Sequence, residues 1–101
     1  GAGGAGRRAG ATPPAAGPGS PVTLTAGLEH PDAVLAETSI RAVIRRPDGR
    51  SESLVLSGGG SRRTAAWRPA MKGIHGIDVS ARAKADGMRI ARTTFLAVDV
   101  R

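Results

Sequence analysis

Apolar and polar side chains alternate with a period of two residues along most of this chain after Val22, and this pattern limits the folds available to it. It is clearest where four apolar residues share one parity: Ile77, Val79, Ala81 and Ala83. Successive side chains of a β-strand point to opposite faces, so the pattern predicts a strand with one buried face. A helix over residues 78–84 is the alternative because alanine favours helix, but it would scatter these apolar side chains around its axis.

Five further segments of alternating or short apolar sequence also predict strands: residues 22–26, 40–45, 54–56, 64–68 and 90–100. The stretch Ala33-Val34-Leu35 adds a seventh strand if it pairs with a neighbour. Six or seven short antiparallel strands predict an all-β fold of two packed sheets, an antiparallel immunoglobulin-like sandwich. A small barrel is the alternative arrangement.

Turn residues between these segments indicate which strands are neighbours. Pro47-Asp48-Gly49 suits a tight turn, because proline fixes φ at about −65° and glycine accepts the positive φ that follows. Ala85-Asp86-Gly87 has the same character, so both turns predict antiparallel hairpins. Ser57-Gly58-Gly59-Gly60-Ser61 is too loose for a tight hairpin and predicts an exposed loop or a crossover.

Residues 1–21 differ in composition from the rest of the chain. Glycine, alanine and proline fill 17 of these 21 positions, so the segment offers no large side chain to a core. Ordering costs about 1–2 kcal/mol per backbone residue, which such a segment cannot offset by burial. We therefore predict a flexible, disordered Gly/Ala/Pro-rich linker at residues 1–21 and a folded domain at residues 22–101.

Residues 1–6 match the pattern GxGxxG of dinucleotide-binding loops. Such a loop needs a preceding strand and a following helix to bring backbone amides to the pyrophosphate. No strand precedes Gly1, and Pro13-Pro14 blocks a long helix behind it. We therefore expect no dinucleotide site.

Several classes of protein are excluded by what the sequence lacks. The absence of cysteine excludes a disulfide scaffold and any Cys-ligated zinc or iron–sulfur site. No apolar run approaches the roughly 20 residues of a membrane-spanning helix. A length of 101 residues supports one domain.

The sequence contains few groups suited to catalysis. His30 lies in the predicted loop Glu29-His30-Pro31-Asp32, where it is a solvated residue or part of a weak hard-cation site with Glu29 and Asp32. His75 shares the parity of Ile77 and is expected to be a buried or half-buried structural residue. We expect no catalytic residue, no metal site and no cofactor.

Trp67 is one of two aromatic residues in the chain, the other being Phe95. Exposed, a tryptophan can stack on a sugar or anchor an interface. Buried, it supplies most of the bulk of a core otherwise built from Val, Ile, Leu and Ala. Trp67 and His75 are therefore candidate core or interface anchors.

Positive charge is the most unusual quantity of this sequence. The formal net charge is +7, and 13 of the 15 basic residues are arginine. Arginine binds phosphate, sulfate and carboxylate groups in bidentate geometry, so a basic face can bind an anionic polymer such as a glycan, a nucleic acid or lipid head groups. Solvated strand faces that discourage aggregation are the alternative role. The candidate contacts are Arg41, Arg45, Arg62, Arg63, Arg82 and Lys84.

Three segments carry a resemblance to a known family: the strand end Arg46-Pro47-Asp48-Gly49, then Trp67-Arg68-Pro69, then residues 73–79 with the sequence GIHGIDV. Their order resembles the bacterial immunoglobulin-like, or fibronectin type III-like, domains of exported proteins that often accompany von Willebrand factor A domains. The resemblance covers residues 22–101. His75 stands where relatives usually carry tyrosine, and residues 57–63 replace an Asp-Gly-rich turn that many of them have.

The resemblance implies a non-catalytic β-sandwich that acts as a spacer, a docking partner for a neighbouring domain or an adhesive surface. Its partners would be other domains of the same polypeptide or another protein. It also implies an extracytoplasmic location, at the cell surface, in the periplasm or secreted. The arginines favour a second hypothesis, a binding module for an anionic polymer. Neither hypothesis includes a membrane span.

Overall fold

The computed structural model describes residues 6–30, 33–59 and 62–101. These residues form eight strands and no helix: β1 (Gly6–Thr12), β2 (Ala15–Ala16), β3 (Val22–Glu29), β4 (Leu35–Arg45), β5 (Ser51–Leu56), β6 (Arg62–Trp67), β7 (Gly73–Ala85) and β8 (Met88–Val100). Three features of the sequence analysis lie largely outside them: the GxGxxG match, Asp32 of the possible cation site, and Gly60-Ser61 of the glycine-rich loop. The described part of the chain contains no helix that is long and apolar enough to cross a membrane.

The strands form two sheets. Strands β1, β3 and β6 make a three-stranded antiparallel sheet in the order β1-β3-β6. The other sheet has the order β2-β8-β7-β4-β5 and is mixed, because β2 runs parallel to β8 while the remaining pairs are antiparallel. The all-β prediction is therefore confirmed.

One core lies between the two sheets. Alternate residues of the strands point into it, as in β3, where Val22, Leu24, Ala26 and Leu28 are buried and the residues between them are exposed or half-buried. The largest fully buried side chains come from both sheets: Val22, Leu24 and Leu28 from β3, Ile40 and Ile44 from β4, Leu56 from β5, His75 and Ile77 from β7, Val98 and Val100 from β8, and the loop residue Pro69. Burying such side chains stabilises the fold by about 1.5–3 kcal/mol each.

All six strands predicted from alternation exist, although most are longer than expected. Residues 77–84 lie within β7 and bury Ile77, Val79, Ala81 and Ala83, so the helical alternative is wrong. Ala33-Val34-Leu35 is not a separate strand, because β4 itself begins at Leu35. A bulge between Ala36 and Ser39, with Glu37 at φ 53°, shifts the register of β4 against β7.

Both predicted hairpins are present. The turn between β4 and β5 places Gly49 at φ 87°, and the amide of Arg46 donates to the carbonyl of Arg50 at 2.8 Å. In the turn between β7 and β8, Asp86 and Gly87 have φ values of 50° and 78°. Two positive φ values in a two-residue turn match the right-handed twist of the strands that it joins.

The glycine-rich loop acts as a crossover, because it connects β5 of one sheet to β6 of the other. At its base, Ser57 and Thr64 exchange two backbone hydrogen bonds of 2.9 Å. This bridge joins the edges of the two sheets on that side of the core.

Within the segment 1–21 predicted to be a flexible linker, the structure corrects the prediction for β1 and β2, while residues 1–5 lie outside the described residues. Residues Gly6–Thr12 pair with β3 along their full length, and Ala15–Ala16 pair with β8. The sequence argument assumed that ordering requires large apolar side chains. Here backbone pairing to the open edge of β3 orders the segment, and the small side chains of Ala9 and Ala11 suffice to pack against the core. The folded unit therefore includes residues from Gly6 onward.

Deleting residues 1–14 should lower the free energy of unfolding by about 1–3 kcal/mol, because it removes the pairing of β1 with β3 and uncovers the core beneath it. Deleting residues 1–5 is the matched control, since it keeps every pairing of β1. Urea unfolding followed by circular dichroism compares the two variants. Equal stability of both would show that β1 contributes nothing.

Gly73→Ala should also be destabilising, by about 1–3 kcal/mol. Gly73 has φ 121°, and a Cβ there would lie 2.7 Å from Cγ of Pro47 in the β4–β5 turn. Gly49→Ala is the control. Gly49 also has a positive φ, 87°, but no heavy atom lies within 4 Å of its Cβ position. Its substitution should therefore cost only the backbone strain, about 1 kcal/mol. Urea unfolding measures the loss of unfolding free energy in both variants. An equal loss in Gly73→Ala and Gly49→Ala would contradict the close packing of Pro47 on Gly73.

Candidate anion-binding face

The outer face of the five-stranded sheet brings two arginines and two serines together. In β4, Ile40, Ala42 and Ile44 point into the core, so the residues between them point outward. Antiparallel pairing with β7 then sets Arg41 opposite Ser80, and Ser39 opposite Arg82. We call these four residues the basic block: Ser39, Arg41, Ser80 and Arg82.

The basic block surrounds a shallow depression of about 390 Å³. Val55 of β5, the cross-strand partner of Arg41, forms one side of it. Because the two arginines occupy opposite corners of the block, their guanidinium groups can approach one ligand from two directions. The serine hydroxyl groups occupy the other two corners.

Three carboxylates on or beside this face each have a cationic partner. Lys84 Nζ lies 2.9 Å from Glu37, Arg45 lies 3.5 Å from Asp78, and Arg101 Nε lies 2.9 Å from Asp99. The hydrogen bond to Asp99, together with the attraction between the two charges, raises the pKa of Arg101. Exposed ion pairs contribute little to stability. These ion pairs engage the three acidic groups with cations other than Arg41 and Arg82.

Arg41 and Arg82 consequently have no carboxylate partner among the residues that the structure describes. A guanidinium presents a planar set of donors that matches the oxygens of sulfate, phosphate or carboxylate groups. Two such groups with two hydroxyl donors between them suit an oxyanion. The block therefore presents positive charge and hydrogen-bond donors, and its four residues include no nucleophile paired with a base.

The six basic residues proposed from the sequence do not form one site. Arg41 and Arg82 belong to the block, whereas Arg45 and Lys84 lie on the same face but form ion pairs. The other two lie on β6 of the other sheet: Arg62 is exposed there, and half-buried Arg63 lies opposite Ala26 and shares its face.

Sequence reasoning missed Ser39 and Ser80. Their signal was present locally, since each lies two residues from one arginine and therefore on the same strand face. Their meeting across the strands was not predictable, because it depends on the register of β4 against β7. That register contains a bulge, which changes the pairing by one residue.

Comparisons with known proteins bear on the fold alone. No family model and no curated protein matches this chain. The chain is similar to the crystal structure of an engineered protein, a structural genomics target, with a TM-score of 0.54 and 18% sequence identity. The match covers 91% of this chain and 20% of that protein, so the chain spans about a fifth of its length.

Trp67 and His75 lie in the core, with 3% and 1% of their surface exposed. They come from different sheets, and their rings meet edge to face with centroids 5.2 Å apart and an interplanar angle of 67°. His75 Nδ1 lies 3.1 Å from the carbonyl oxygen of Gly73, a distance at which the protonated nitrogen donates to it. The pair thus joins the two sheets and presents neither ring to a ligand.

The possible cation site has no support in the described residues, which contain no group of three His, Asp or Glu side chains able to hold a metal ion. Glu29 ends β3, and His30 follows it in the connection to β4. The third member of the proposed site, Asp32, lies outside the described residues.

Replacing Trp67 with alanine should lower the free energy of unfolding by about 3–5 kcal/mol, because it leaves a large cavity between the sheets. Phe95→Ala is the matched control, since 64% of Phe95 is exposed on the outer face. The loss of unfolding free energy in Phe95→Ala should stay below about 1.5 kcal/mol, because a side chain that is mostly exposed contributes little burial. Urea unfolding measures both, and a greater loss for Phe95→Ala would contradict the placement of Trp67.

Proposed function

We propose that this chain is an immunoglobulin-like β-sandwich that serves as a non-catalytic structural or interaction module of a larger protein. The order of its strands supports the proposal. Strands β1, β3 and β6 correspond to A, B and E of such domains, and β4, β7 and β8 correspond to C, F and G. Strand β5 takes the place of C′, beside C. The chain departs from antibody domains in having no disulfide and in carrying its tryptophan on the E strand.

The observation that carries this proposal is the enclosure of His75. The ring is buried against Trp67 and near the carbonyl of Gly73, which supports a packing role for this histidine. We infer that the module acts as a spacer or docking domain, with other domains of its polypeptide as partners. We also propose an extracytoplasmic location, which the resemblance in sequence favours. A His75→Gln variant of unchanged stability that abolished a measurable turnover would contradict this function.

The basic block favours a second candidate function, the binding of an anionic polymer. Arg41 and Arg82 offer two guanidinium groups that no described carboxylate neutralises, on a sheet face that also carries the hydroxyl of Thr93 opposite Ser80. Two aromatic residues, one of them buried, provide little stacking surface for bases. A glycan with acidic groups therefore suits this face better than a single-stranded nucleic acid does.

A salt titration of heparin binding separates the two candidates. If the block binds the polymer, the double variant Arg41→Ser/Arg82→Ser should bind about tenfold more weakly at low salt and show a shallower salt dependence. The matched control is Arg50→Ser/Lys72→Ser, which removes the same charge from two exposed loop positions.

Equal weakening of both double variants would show an effect of net charge alone. If the parent chain and both variants elute from heparin at the same low salt concentration, the arginines are solvated residues that do not bind the polymer. The first result excludes the basic block as the binding site, and the second excludes the polymer-binding function, as the spacer function predicts.

A further inference from the structure

Three arginines lie on one diagonal of the outer face of the five-stranded sheet. Arg41 of β4 lies opposite Ser80 of β7, and Arg82 follows two residues later on the same face of β7. Arg82 in turn lies opposite Ala91 of β8, and Arg89 lies two residues from Ala91 on that face. Each step moves one strand across the sheet and two residues along it. We call these three residues the arginine line: Arg41, Arg82 and Arg89.

The arginine line is evenly spaced. Diagonal neighbours on adjacent antiparallel strands lie about 7–8 Å apart, so the line spans roughly 15 Å between the backbones of Arg41 and Arg89. The ladder between β7 and β8 has no register shift, and the bulge of β4 lies before Ser39. No irregularity therefore interrupts the line.

All three arginines of the line are exposed, and none forms an ion pair with a described carboxylate. Lys84 lies opposite Arg89, and like charges in directly opposite positions destabilise a sheet. Glu37, which lies in the bulge of β4, pairs with Lys84 at 2.9 Å. Arg89 is therefore the cation of this row that remains available to a ligand.

Two shallow depressions alternate with the arginines. The depression of the basic block, about 390 Å³ in volume, is lined by Arg41 and Arg82. A second depression of about 430 Å³ is lined by Arg82 and Arg89, together with the ion pair of Lys84 and Glu37. The two depressions adjoin at Arg82. A ligand that follows the line therefore meets a cation, a depression, a cation, a second depression and a third cation.

This alternation fits a linear polymer whose acidic groups recur about every 7–8 Å with an uncharged unit between them. A glycan with an acidic group on every second sugar has that arrangement, because a neutral ring separates each acidic group from the next. Each carboxylate or sulfate would accept hydrogen bonds from one guanidinium group. Each neutral ring would lie over one depression, and the first depression offers it the hydroxyl groups of Ser39 and Ser80.

A nucleic acid fits the line less well. It carries a phosphate on every nucleotide, and a single strand gains much of its affinity from stacking of its bases on aromatic rings. Neither depression is lined by an aromatic residue.

We propose that the arginine line binds a linear glycan that carries an acidic group on every second sugar, with the glycan lying across strands β4, β7 and β8. The inference rests on the polymer-binding function proposed above. It adds Arg89 to the site and specifies the spacing and the direction of the ligand.

Three probes of equal charge test the spacing in NMR titrations of the full chain. A hyaluronan hexasaccharide carries three carboxylates on alternate sugars, trigalacturonate carries three on adjacent sugars, and a thymidine tetranucleotide carries three phosphodiesters. The hexasaccharide should bind about tenfold more tightly than either of the others, because it alone matches both the arginines and the depressions. The amides of Ser39, Ser80 and Ala91 should shift together as it binds.

Arg89→Ser should weaken binding of the hexasaccharide about tenfold, because it removes one end of the line. Arg92→Ser is the matched control, since it removes the same charge from the same strand. Arg92 lies opposite buried Ala81 and therefore on the inner side of the sheet. Arg50→Ser, in the β4–β5 turn, is a second control. Both controls should leave binding nearly unchanged, and circular dichroism checks that each variant is folded.

The outcomes separate this inference from the function on which it rests. If neither heparin nor the hexasaccharide shifts any amide, the polymer-binding function fails and the inference fails with it. If heparin binding depends on Arg41 and Arg82 but the hexasaccharide binds no more tightly than trigalacturonate, the function stands and the inferred spacing is wrong. Equal or tighter binding of the tetranucleotide overturns the inferred ligand. An Arg89→Ser effect no larger than that of Arg50→Ser overturns the arginine line.

Discussion

The structure depends on the contact between the inward-facing rows of its two sheets, whose buried residues form one core cluster. Along β7, every second residue from His75 to Ala85 is buried. At one end of this row, His75 meets the edge of Trp67 from the opposite sheet. In a chain with two aromatic residues, this contact fills a space that the many alanines of the core would leave empty.

Most of the large apolar residues lie on the inner faces of the two sheets, whereas the charged residues lie mainly on the outer faces, and the two outer faces differ. On the five-stranded sheet, Arg41 and Arg82 have no described carboxylate partner, whereas Glu37, Asp78 and Asp99 each pair with another cation. On the three-stranded sheet, Arg8 and Arg62 lie on either side of Gly27. The arginines are thus distributed over both outer faces.

Local sequence signals were sufficient for the strands whose apolar residues alternate and for the Pro47-Asp48-Gly49 and Asp86-Gly87 turns. They were insufficient for β1, because its ordering comes from pairing with β3, which is distant in sequence and needs no large side chain. The sites depend on such distant pairings as well. Arg41 lies diagonally across from Arg82 only in a register that a bulge at Glu37 shifts. A single sequence contains no record of these registers.

The claim that the two sheets share one core is tested most directly by native-state hydrogen exchange. Strand β3 is central in the three-stranded sheet, and β7 lies within the five-stranded one. If the core is shared, the slowest amides of both strands exchange through the same global unfolding and report equal opening free energies. Much faster exchange throughout β3 than throughout β7 would show that the three-stranded sheet opens by itself, and would contradict the account.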